Sequence, residues 1–89
     1  MANLYLLDRP FGRAGIDLAL RDRRAKAVLI QDGAYLDCRA LLAAGVDVYV
    51  VGRDLERRGL VGRVAAPVRI IDHGGLVDLI VEHKVVNFA

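Results

Sequence analysis

The chain contains no serine, no threonine and no tryptophan, and only one cysteine and two histidines. The missing hydroxyls exclude serine and threonine nucleophiles, and with them the P-loop, which needs Gly-Lys-Ser/Thr. A lone cysteine, Cys38, forms no internal disulfide, and one cysteine with two histidines cannot complete a Cys-rich zinc site. Long apolar runs are also missing. The N-terminal run, Leu4 to Leu7, is far below the ~20 residues that span a bilayer and too short for a secretion signal. These absences predict a protein of the reducing cytoplasm, with no membrane partner. They leave the thiol and the carboxylates as the groups available for chemistry.

Charge of one sign is lacking too. Thirteen basic residues face eleven acidic ones, for a net charge of +2. A nucleic-acid polycation is therefore not expected, although eleven of the thirteen are arginine. What the chain has in surplus is apolar surface: 55% of its 89 residues are hydrophobic. A single domain this small covers only ~60% of its unfolded surface, so the surplus predicts burial against another subunit.

The central stretch is Ala27-Val28-Leu29-Ile30-Gln31-Asp32-Gly33-Ala34-Tyr35. A continuous apolar run suits a strand buried on both faces, as in a parallel sheet. The polar turn after it faces the strand's C-terminal edge, where open parallel sheets usually place ligands. Strand signals recur at residues 3–7, 26–31, 46–51 and 68–71, with a short fifth at 85–88. Helical spacing falls at 13–21, 34–44, 55–58 and 76–83, with Gly15 weakening the first and Gly45 ending the second. Regular alternation predicts one α/β domain over residues 1–89, a three-layer α/β/α arrangement with a parallel sheet of four to five strands. The last helix has an unusually wide apolar arc around Leu76, Val77, Leu79, Ile80, Val81 and His83. One flank is expected to pack on another subunit.

Asp8, Asp32, Asp54 and Asp72 fall at or just past strand ends. They read either as a carboxylate cluster for a cation or phosphoryl transfer, or as caps of the turns and helices that follow, which is the commoner role. Cys38 has Ala34, Tyr35, Leu41 and Leu42 at helical spacing, so it reads as a small core hydrophobe, with a sulfur-acceptor role as the rival. His73 sits beside two glycines on the same edge, either as an acid/base or anion contact or as a solvated turn residue. Arg53, Arg57, Arg58 and Arg63 are read as surface charge, with RNA phosphate contact as the alternative.

Three segments taken together resemble the TusB/DsrH family of sulfur-relay proteins: Val28 to Tyr35, Val48 to Leu60, and Ile71 to His83. Asp8-Arg9-Pro10-Phe11 looks like that family's opening Ser-Pro-Phe or Ser-Pro-Trp. The resemblance implies a DsrE/DsrF/DsrH-like fold and a place in a relay that passes sulfur as a cysteine persulfide. It also implies oligomers: a homodimer, or a hetero-oligomer with TusC- and TusD-like (DsrF- and DsrE-like) subunits, linked indirectly to tRNA through wobble-uridine 2-thiolation, or serving sulfur oxidation. No cofactor is implied. In related TusD/DsrE-like subunits the carrier cysteine falls where Val51 stands here. Arg13 to Arg21 has no cysteine, and Cys38 matches no carrier position. The expectation is an accessory, non-carrier subunit, not catalytic by itself. Its cleft or interface would be formed by Asp32, Gly33, Tyr35, Arg53, Asp54, Asp72 and His73. A homodimeric sulfurtransferase using a Cys38 persulfide is the enzyme-class alternative.

Overall fold

The structure is a computed structural model that describes residues 2–89. Five parallel strands form one sheet: β1 (Asn3–Leu7), β2 (Ala25–Leu29), β3 (Asp47–Val51), β4 (Arg69–Ile71) and β5 (Lys84–Phe88), in the order β4-β3-β2-β1-β5. The helices are α1 (Gly12–Leu20), α2 (Arg39–Ala43), α3 (Gly52–Arg57) and α4 (His73–Glu82), with 3-10 turns at Gln31–Tyr35 and Val61–Arg63.

Side chains alternate across the sheet with the strand's period of two. Tyr5, Leu7, Ala27, Leu29, Val48 and Val50 point to one face, where they meet Ile16 and Ala19 of α1, Leu41 of α2 and Leu55 of α3. Leu4, Val28, Tyr49 and Val51 point to the other, where Leu76 and Leu79 of α4 pack on them. This unequal division follows from the handedness of crossovers. From β1 to β4 the chain steps in one direction, so right-handed connections put α1, α2 and α3 on the same face. From β4 it returns across the whole sheet to β5, which sends α4 to the opposite face. One helix therefore covers that face alone.

The consequence is visible in exposure. No residue of α4 is buried, and Val77, Ile80 and Val81 are 44%, 39% and 76% exposed. His83 sits at the helix end, where its Nδ1–H donates to the Leu79 carbonyl at 2.7 Å. No helix among the described residues is long and apolar enough to cross a membrane.

The strands lie close to their expected positions, and the helices do not all do so. The helix expected over residues 34–44 is broken in two. Residues 31–35 form a 3-10 turn, Leu36 is extended at φ −67°, ψ 140°, and α2 begins only at Arg39. The break turns Leu36 toward the core and lets Asp37 accept the Arg39 backbone N–H at 3.1 Å. Conversely, α3 and α4 start three residues earlier than the spacing suggests. Arg53, Asp54 and His73 therefore lie in first helical turns, not in loops. Gly15 does not interrupt α1, because its missing side chain lets the helix lie against Leu7 and Phe88.

Candidate functional site

The strand order locates a cleft before any side chain is considered. The chain leaves β3 toward one face through α3 and leaves β4 toward the other through α4. Loops that part in this way open a crevice at the C-terminal ends of the two strands. The crevice here is about 890 Å³ and is lined by Gln31, Val51, Gly52, Arg53, Asp54, Glu56, Asp72 and His73, among others. Ligand sites run to roughly 300–1,000 Å³, so its volume is sufficient for a small ligand or for a partner's loop.

Its polar wall is held by a small network. Gln31 occupies the left-handed region at φ 49°, a conformation uncommon outside glycine. Its backbone N–H donates to Asp54 Oδ2 at 2.7 Å, which ties the end of β2 to the first turn of α3. Arg58, just after α3, reaches back. Its Nε donates to Asp32 Oδ1 at 2.9 Å and its Nη1 to the Asp54 carbonyl at 3.1 Å. The Asp32 carboxylate, followed by that of Asp54, holds the Arg58 guanidinium above its ordinary pKa. Arg58 is therefore paired within the fold, to Asp32 and to the Asp54 carbonyl.

The four strand-end aspartates do not converge. Asp72 caps α4, accepting the Gly75 N–H at 2.7 Å. Asp54 serves Gln31, and Asp32 pairs with Arg58. Asp8 is buried and accepts the N–H groups of Arg9 at 2.7 Å and Gly33 at 3.0 Å. Of the four, only Asp72 has the helix-capping role expected from its place. Among the described residues no group of three metal-ligating side chains comes together.

Four of the expected site residues thus line the cleft: Arg53, Asp54, Asp72 and His73. Asp32 is joined to it through Arg58. Gly33 and Tyr35 stand apart: Gly33 packs on the backbone of Leu7 and Asp8, and half-exposed Tyr35 carries the Arg9 guanidinium 5.0 Å above its ring. Cys38 is not mid-face on a helix. It is the residue just before α2, half-buried beside the main core, and it faces a separate cavity. Burial, aided by the nearby Asp37 carboxylate, pushes its thiol pKa up, which disfavours the thiolate. Sequence reasoning passed over Asp8, Gln31 and Arg58 as organising residues. Glutamine gives no local sign of a left-handed backbone, and the partners of Asp8 and Arg58 lie 25 and 26 residues away.

A family model described as DsrH like protein matches residues 10–86. Protein TusB of Pectobacterium parmentieri is 36% identical over 88 residues, covering 90% of this chain and 93% of its own. Protein TusB of Photorhabdus laumondii subsp. laumondii is 37% identical over 54 residues, covering 61% of this chain and 55% of its own. The crystal structure of the ychN protein from E. coli superposes with a TM-score of 0.80 at 18% identity, covering 99% of each chain. That last likeness concerns the fold alone.

Proposed function

We propose a function from one premise: the chain belongs to the TusB/DsrH family, as the family match and the TusB relatives show. It is a subunit of a sulfur relay in the reducing cytoplasm, and within that relay it is an accessory, not a carrier. The observation that carries this reading is the lining of the switch-point cleft. At the C-terminal end of β3, where the family resemblance implies a carrier cysteine in the sulfur-bearing subunits, Val51 lines the cleft, and no thiol joins it. A valine side chain holds no persulfide. The one thiol, Cys38, lies in another cavity with its pKa raised, which is unfavourable for a nucleophile that must accept sulfur near neutral pH.

The accessory role is one of contact. The open flank of α4, with Val77, Ile80 and Val81 exposed, supplies the apolar surface for a subunit interface. Its partner is a second copy or TusC- and TusD-like subunits, and the downstream acceptor is tRNA in the thiolation reading.

The test is incubation with a cysteine desulfurase and cysteine, followed by intact-mass measurement. No adduct is expected on this chain when it is alone. A gain of about 32 Da, one persulfide sulfur, that disappears in Cys38→Ala would instead establish the sulfurtransferase alternative.

A further inference from the structure

On the sheet face that carries α1 to α3, a second cavity of about 290 Å³ lies between the break before α2 and the segment after α3. Leu29, Val50 and Leu55, all nearly inaccessible, line it from the sheet and from α3, and Leu60 and Val64 close one side. The cause is local. With α2 five residues long and α3 six, neither covers the width of the sheet. The segment crossing the remaining gap brings mainly small side chains, including Gly62, Ala65 and Ala66.

Four polar residues border this apolar space: Asp37, Cys38, Arg39 and Arg63. Asp37 and Arg39 neutralise one another through a close pair, with Nη2 to Oδ2 at 2.6 Å and Nε to Oδ1 at 3.0 Å. Arg63 makes no ion pair or side-chain hydrogen bond among the described residues. An apolar hole with one uncommitted cation beside it is complementary to an amphipathic anion. We propose that this cavity is a binding site for a small aliphatic carboxylate, with the acyl chain against Leu29, Val50 and Leu55 and the carboxylate on Arg63. The site is independent of the relay reading, since it lies outside the switch-point cleft. Cys38 on its lining serves as a reporter of occupancy. Burial, and then the nearby Asp37 carboxylate, raise its thiol pKa, which disfavours a second negative charge beside the ligand.

The test uses the full chain, in whatever assembly it forms, titrated with butanoate, hexanoate, octanoate and the neutral octanol. Binding is followed by methyl chemical shifts of Leu29, Val50 and Leu55 and by the rate of Cys38 alkylation with iodoacetamide. Affinity is expected to rise about fourfold per methylene until the cavity is full. Octanoate should protect Cys38 and bind at least about tenfold more tightly than octanol, and Arg63→Gln should remove that difference. Val64→Phe, which fills the cavity, should abolish binding while preserving the amide fingerprint. Ala65→Phe is read in the same way should Val64→Phe fail to fold. The proposal is overturned by the absence of saturable shifts up to about 10 mM octanoate. It is overturned equally by octanol binding as well as octanoate, or by shifts centred on the exposed valines of α4, which would mark surfactant-like adsorption.

Discussion

Gly33 offers the sharpest test of how the polar edge is built. A Cβ added there would fall inside the van der Waals shell of the Leu7 carbonyl oxygen, 2.9 Å from the Leu7 carbonyl carbon and 3.1 Å from Asp8 Cα. All three are backbone atoms, so no rotamer change relieves the overlap. The 3-10 turn must move away from β1. That movement breaks the Gly33 N–H bond to the buried Asp8 carboxylate, 3.0 Å, and loosens the Ile30 N–H bond to the Leu7 carbonyl, 3.1 Å. A hydrogen bond to a charged group contributes ~1.5–3 kcal/mol and a neutral one about 1, so Gly33→Ala should cost about 3 kcal/mol. For a domain of this size that lowers Tm by about 15 °C. Gly62→Ala is the control, because no atom lies within 4 Å of its added Cβ. It should change stability by less than about 0.5 kcal/mol. Urea and thermal unfolding followed by far-UV circular dichroism measure both. A Gly33→Ala variant within about 1 kcal/mol of Gly62→Ala would falsify the close-approach account.

Four further outcomes are expected. Asp54→Ala removes the acceptor that holds Gln31 in its left-handed conformation. It should cost about 1–2 kcal/mol and shift the Gln31 amide resonance, and an unmoved resonance would refute the link. Alkylation of Cys38 should be slower at pH 7.5 than that of a free thiol. Its rate should rise with pH through a midpoint above that of a free thiol, and a midpoint below it would reverse the assignment of its environment. The Asp37 carboxyl, held down to about 2 by Arg39, should titrate at that value by NMR and move up in Arg39→Gln. Because the folded value lies below the unfolded one, the pair's contribution is fully present above roughly pH 4 and is lost progressively as pH falls from there through about 2. Val81→Glu on the 76% exposed position of α4 should reduce the assembly measured by light scattering while leaving the circular dichroism spectrum unchanged. Unchanged mass in an oligomeric protein would exclude this flank as the interface.

The sequence by itself determined the alternation of strands and helices, the parallel sheet and the family, because these rest on local periodicity and on motif order along the chain. Apolar runs mark β2 and β3 wherever they pack, and Gly45 ends α2 at φ 78° by its own conformational freedom. Tertiary structure decided how the edge after β2 is used. Whether residues 34–44 form one helix depends on Leu36 finding the core and on Asp37 capturing the Arg39 N–H, neither of which helical spacing contains. The uneven cover of the two sheet faces follows from where β5 pairs, beside β1, and so from the handedness of one long crossover. The turn at Gln31-Asp32-Gly33 took its meaning from groups far along the chain: Asp8 on Gly33, Asp54 on Gln31 and Arg58 on Asp32. Residue types along a chain record what each position can do, and only the packed sheet brings together the partners that choose among those roles.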